Sequence, residues 1–298
     1  MSRRAWVLFA AVGIIWGLPY LLIKVGVTDL SPFVVVFLRV ACGAALLIPL
    51  ALARREFGSL RGKWRWAVLF GLVEITVPFL TLTWAETRIS SSLAALLVAA
   101  VPLVAALAAW GFGVDDRLTR TRVIGLLIGL LGVVCLIGFH FDGGSLLAIA
   151  AVGVTVIGYA TAPMIIASKL KGVSSEPVIA VALGVNTIIY APFAALTWPR
   201  QPVPASVWWS LAVLGVVCTA IAFLLFFALI KAAGPARTTL ITYVNPAVAL
   251  ILGVVILHEP LTWGLLVGFP LVLIGSYLAT RRSLTVVDPD VATDIDIA

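Results

Sequence analysis

Three polar side chains at helical spacing, Thr238, Thr242 and Asn245, interrupt an apolar stretch, 237–257, that is long enough to cross a bilayer; Tyr243 lies among them and Pro246 follows. Hydroxyl and amide groups are tolerated in hydrocarbon where they face protein or a water-filled cavity, and a proline frees a backbone carbonyl one turn back. Such a stripe can bind the polar groups of a small solute. A second constellation, Trp16, Tyr20 and Lys24, follows i, i+4, i+8 and shares a helix face with Gly13 and Gly17. Aromatic rings beside a cation could line a pocket for an amphipathic solute. The alternative is an interior packing seam, which the Gly13–Gly17 GxxxG spacing would serve. Thr155, Tyr159 and Pro163 repeat the arrangement further along.

Ionisable groups inside apolar runs are the next candidates. Glu74 falls eight to ten residues into its run, roughly 12 to 15 Å deep at 1.5 Å per residue. It could bind a substrate ammonium or carry a coupling proton, or it could pair with a buried arginine. Arg39 is its natural partner, and Lys24 near the outer end of the first run can snorkel to the interface. Asn186 and Tyr190, and Glu86 with Trp84, are further polar residues in spans, Trp84 fitting an interfacial belt. His258–Glu259 is too isolated for a metal pair, so no metal or cofactor is expected. No GxxxxGK[ST], HExxH or GxSxG occurs, which argues against ATP-driven transport by this chain and against a membrane-embedded enzyme.

The elements that must hold these residues follow from composition. Hydrophobic residues make up 62% of the 298 and charged residues 11%, against a soluble average of roughly 25% charged. This is an all-α polytopic membrane protein. Ten spans are predicted, at 5–27, 32–53, 64–86, 91–113, 122–139, 145–168, 177–197, 207–230, 237–257 and 263–280. Sixteen of the 20 Lys and Arg residues fall on one side of this alternation, and of the connections on the other side only those with Arg88 and Arg200 carry any. Both termini are therefore expected in the cytoplasm, and the net charge of +7 reads as a topology signal rather than nucleic-acid binding. The tail 283–298, with four aspartates, is expected to be disordered. Cys42, Cys135 and Cys218 sit in apolar runs as packing residues.

The chain also repeats. Asp115–Gly132 resembles His258–Gly275, with Gly125 matching Gly268 and Gly132 matching Gly275, both offset by 143 residues (268 − 125; 275 − 132). Trp16-Gly17 meets Tyr159-Ala160 at the same offset, and Pro102 falls near Pro246. The halves, 1–141 and 142–282, each hold five spans; five being odd, the second enters the membrane inverted. Inverted repeats with broken helices at matching depth mark secondary transporters, with Pro102 and Pro246 as expected hinges. Gly125-Gly129 and Gly264-Gly268 are expected to let spans five and ten pack closely, a dimer face being the alternative use, so the chain is expected as monomer or homodimer.

Trp16-Gly17, Pro32, Arg39, Gly234-Pro235-Ala236, Tyr243–Pro246 and His258–Thr262 with Gly268 and Gly275 together resemble the drug/metabolite transporter superfamily, EamA type. The resemblance covers nearly the whole chain. It implies ten helices, cytoplasmic termini in the inner membrane and a central cavity. It also implies export of small metabolites, as by the YddG-type exporters of aromatic amino acids and methionine. On this reading the substrate is an amino acid, hydrophobic or aromatic, moved by alternating access with or without protons. Thr242 and Asn245, with carbonyls freed by Pro246, would bind polar groups, and Trp16, Tyr20 and Tyr159 the side chain, with Glu74, Asn186 and Tyr243 also lining the cavity. Drugs, sugars and nucleotide metabolites are the competing substrates.

Overall fold

The computed structural model describes residues 2–111, 119–138, 143–234, 238 and 240–280. The Asp115–Asp116 pair, Arg237 and the tail 283–298 lie outside them. All described elements are helical: α1 Arg3–Gly26, α2 Pro32–Ala53, α3 Trp64–Ala85, α4 Ser91–Gly111, α5 Arg120–Ile137, α6 Gly143–Lys169, α7 Ser175–Leu196, α8 Ala205–Ala233, α9 Ile241–Ile256 and α10 Trp263–Thr280. Nine of these are long and apolar enough to span a membrane; α9, at 16 residues, is shorter than the predicted 237–257. Several starts are written locally. Ser31, Ser90, Thr119 and Thr262 each accept from the backbone amide three residues on, at 3.2 to 3.3 Å, satisfying one otherwise orphaned donor per helix.

The duplication is visible in the element bounds. Helices α2 and α7, and likewise α5 and α10, begin and end 143 residues apart. Contacts follow the same symmetry: α2 packs on α7 and α5 on α10, while α1–α9 corresponds to α4–α6 and α3–α6 to α1–α8. The chain is two inverted five-helix repeats whose pseudo-two-fold passes through the α2–α7 and α5–α10 contacts.

Glycine sets the closest of these. A Cβ on Gly132 would come within 2.6 Å of the Val272 amide nitrogen, and one on Gly125 within 2.5 Å of the Ala279 nitrogen. Van der Waals contact at backbone distance is the main attraction between helices in lipid, so these glycines hold α5 on α10. The GxxxG pairs thus make contacts inside the chain, between α5 and α10. Gly13 and Gly17 do the same between α1 and α9, where added Cβ atoms would meet Val244 and Val248. That makes the Gly13–Gly17 part of this face a packing seam.

The expected hinges divide. Helix α4 is interrupted by a turn at Ala99–Ala100, and Pro102 is the second residue of the segment Val101–Gly111, where a missing N–H costs nothing. Pro246, in contrast, lies inside α9, which runs unbroken from Ile241 to Ile256. The irregularities that periodicity does not announce are two π-helical turns, Leu72–Thr76 in α3 and Val216–Ile221 in α8. In α3, Pro78 cannot donate to the Glu74 carbonyl and its ring crowds that group, so an extra residue is accommodated in the turn. The turn in α8 has no proline.

Candidate functional site

Both π turns carry a threonine, Thr76 and Thr219, at the 143-residue offset. Thr219 Oγ1 donates to the Leu214 carbonyl, five residues back, at 2.9 Å, and Thr76 Oγ1 lies 3.3 Å from the equivalent Gly71 carbonyl. A π turn leaves such carbonyls without their usual i+4 amide, and buried carbonyls need a donor. Each threonine is also held by a polar side chain from the helix on the pseudo-two-fold. Asn186 of α7 accepts from Thr76 Oγ1 at 2.6 Å and donates to the Gly71 carbonyl at 3.2 Å and the Ala182 carbonyl at 2.8 Å. Tyr190 donates to the Thr76 carbonyl. On the other side Arg39 of α2 donates through Nε to Thr219 Oγ1 at 3.2 Å. Arg39 and Ala182 occupy equivalent positions, so the second clamp is built from one helical turn earlier than Asn186.

The clamps differ in what they leave over. Asn186 is fully buried and its amide is saturated by protein. Arg39, 7% exposed, places its guanidinium 3.7 Å over the Phe79 ring, and among the described residues only its Nε finds a hydrogen-bond acceptor. Tyr159, Cys218, Tyr20 and Glu86 are within electrostatic range of it. The expected Arg39–Glu74 ion pair does not form. Glu74 stands in the α3 π turn, near Tyr159, with Oε2 buried and without a hydrogen-bond partner. The structure thus brings Tyr20 of α1, Arg39 of α2, Glu74 of α3 and Tyr159 of α6 toward one intramembrane locus.

Other predicted site residues are placed elsewhere. Trp16 packs on α8, 5.8 Å from the Phe223 ring and 4.7 Å from Phe226. Its repeat counterpart Tyr159 joins the Arg39 group instead. Asn245, with its amide oriented to face acceptors, donates to the Ile241 carbonyl at 3.1 Å and to the Gly13 carbonyl of α1 at 3.0 Å. Tyr243 points to α10, 3.5 Å from Thr280 Oγ1, and Thr242 is half-buried on α9. Lys24 neither snorkels nor pairs with a carboxylate. Its ammonium donates to the Glu86 and Ile89 carbonyls at 2.7 and 2.8 Å, closing the carbonyl end of α3.

That end carries a second closure. Glu259 accepts from the Ser91 and Ser92 amides at 2.7 and 2.9 Å, laying a carboxylate across the N-terminus of α4. Burial works against its ionisation, but the hydrogen bonds from Ser92 and Ser91 outweigh it and hold the carboxyl below its ordinary range. Both carboxyl oxygens of Glu86 are buried beside it without a hydrogen-bond partner. The opposite, basic end is open. A cavity of about 330 Å³ lies among Arg4 of α1, Arg54 after α2, Glu176 of α7, and Phe227 and Lys231 of α8. Sequence reasoning missed Thr76, Thr219 and Glu176. The repeat offset applied to every intramembrane threonine would have paired the first two.

An inverted duplication with matched helix irregularities at the interface of the halves is the scaffold of a membrane carrier. The EamA-like transporter family is matched by residues 3–138 and again by 145–281, and the chain belongs to that family. It is therefore a multi-pass membrane transporter rather than an enzyme. It is 30% identical over 286 residues to an uncharacterized inner membrane transporter, YedA, of Escherichia coli (strain K12), covering 90% of each chain. A probable terminal-alkyne amino-acid exporter of Streptantibioticus cattleyicolor is 26% identical, with 95% of each chain covered. One solved crystal structure superposes with a TM-score of 0.66 at 22% identity, covering 94% of this chain and 97% of the other, which shows the fold.

Proposed function

We propose that this protein is an inner-membrane secondary carrier that exports amino acids, hydrophobic or aromatic ones first, by alternating access between the halves 1–141 and 142–282. The observation that carries the reading is the pair of two-fold-related clamps, Asn186 on Thr76 and Arg39 on Thr219. Each ties a helix of one half to a helix of the other half at a π turn, so repacking at one turn exchanges the roles of the two sides. Arg39, with unused guanidinium N–H groups, meets the substrate carboxylate; Tyr20 and Tyr159 flank it, and Glu74 takes the substrate ammonium or the coupling proton. The exporter among the relatives supports an amino-acid substrate. The concentration of Lys and Arg supports cytoplasmic termini, with 283–298 as a cytoplasmic tail.

The test is transport by purified protein in liposomes, with labelled L-phenylalanine, L-leucine, a sugar and a cationic dye, run with and without a pH gradient. Accumulation of the amino acids but not of the sugar or dye is the expected result. Uptake of the sugar or dye alone, by folded protein, overturns the substrate class. Cysteine labelling from either side of intact cells, at Ser2 and at Arg200, decides the orientation.

A further inference from the structure

The cavity at the basic end is composed for an amphoteric solute. Its polar wall has three cations, Arg4, Arg54 and Lys231, around one carboxylate, Glu176, which is 9% exposed. Glu176 Oε1 lies 3.6 Å from the Lys231 ammonium and 4.0 Å from the Arg54 guanidinium. Both exceed the 2.7 to 3.2 Å of a formed N–H···O hydrogen bond. The groups surround one another without closing, and their donors remain available.

The other wall is apolar: Leu224, Phe227, Ala228 and Ala232 of α8. Phe227 stacks on Phe223, 6.1 Å between centroids, and Phe223 meets Trp16. This line of rings runs from the cavity floor into the bundle between α1 and α8, one helix from each half. The cavity's volume is at the lower end of small-ligand sites, about 300 to 1,000 Å³.

We infer that this cavity is the loading site of the carrier, reading the zwitterion of an apolar α-amino acid before it passes between the halves. The inference rests on the amino-acid reading proposed above. The incoming carboxylate takes Arg54 and Lys231, the ammonium takes Glu176, and the side chain lies on Phe227. The exchange preserves every charge pairing, so Glu176 is released from its cations without being left uncompensated in a buried site. An anion alone would meet Glu176 as a like charge, and a cation alone would meet three.

Purified full-length protein in phosphatidylcholine nanodiscs, titrated with labelled L-phenylalanine, N-acetyl-L-phenylalanine and L-phenylalanine methyl ester, tests this. The zwitterion is expected to bind at least about tenfold more tightly than either blocked form, the scale of one charge-assisted hydrogen bond. E176Q should weaken L-phenylalanine about tenfold and leave the N-acetyl form no weaker, whereas R54Q with K231Q should weaken both. In liposomes the same variants should raise KM and leave kcat near wild type. Wild-type transport with KM and affinity unchanged in E176Q and in the double variant overturns the loading site and spares the carrier. Loss of L-phenylalanine binding on adding phosphatidylethanolamine, whose primary ammonium can donate to Glu176 as the quaternary ammonium of phosphatidylcholine cannot, reassigns the cavity to lipid and also overturns it. Failure of folded wild-type protein to bind or carry any amino acid removes both readings.

Discussion

The two clamps occupy equivalent places and use opposite chemistry. At the α7–α3 clamp a neutral amide satisfies a π-turn carbonyl and a hydroxyl, and Tyr190 satisfies another carbonyl, so the clamp's own groups are all paired. At the α2–α8 clamp Thr219 satisfies the Leu214 carbonyl, and the partner is a guanidinium with, among the described residues, one hydrogen bond to protein. Equal geometry therefore does not imply equal function: the first clamp is a fastening and the second holds a charge in reserve. Within the π turns the contrast reverses, because Glu74 in α3, with Oε2 buried and without a hydrogen-bond partner, corresponds to Val217 in α8.

Replacing Arg39 sharpens this contrast most. R39M should lower transport about a hundredfold, near 3 kcal/mol of lost substrate interaction, while the melting temperature in detergent changes little, since Thr219 keeps its bond to Leu214. A large loss of stability with transport retained would reverse the assignment. N186L should do the opposite: Thr76 and the Gly71 carbonyl lose their partner, at about 2 kcal/mol in thermal or denaturant unfolding. Should N186L melt like wild type yet fail to transport, the fastening would be a binding site.

Glu74 breaks the symmetry between the π turns, so E74Q should flatten the pH dependence of transport, while V217E in α8 should not substitute for it. An unchanged pH profile in E74Q removes the coupling role. The smallest effect is expected at Glu259, away from both clamps. E259A should cost about 1 kcal/mol, as for loss of a helix N-cap. With a carboxyl held below its usual value of 4.5, wild type keeps that contribution above the ordinary carboxylate range. It loses it as pH falls through the lowered value, so the wild-type and E259A unfolding curves should converge in acid.

Much of this architecture was legible from residue types and spacing. Ten apolar runs, the 143-residue repeat and the alternation of Lys and Arg are linear properties, because a bilayer demands apolar length and each helix satisfies its own backbone. Gly125-Gly129 and Gly264-Gly268 pointed to a close contact, and the α5–α10 seam is that contact. Individual side chains were less legible. Trp16 and Tyr159 match in the repeat yet meet different neighbours. Arg39 and Glu74 looked like partners, but depth along an axis says nothing about rotation around it. Lys24 lay near a helix end, where snorkelling and capping of a neighbour's carbonyls have the same pattern.

The amino-acid order alone thus determined that the chain crosses the membrane repeatedly, that its halves are inverted copies, and which polar residues are costly enough to need a reason. Tertiary structure decided which reason applies. Whether Asn186, Arg39 or Glu176 meets a carbonyl, a hydroxyl or an open cavity depends on helices more than a hundred residues away, and hydrogen bonds form only across a few ångströms. Hydrophobic period and charge count reach across a sequence, but a 3 Å contact between α2 and α8 exists only once both have packed.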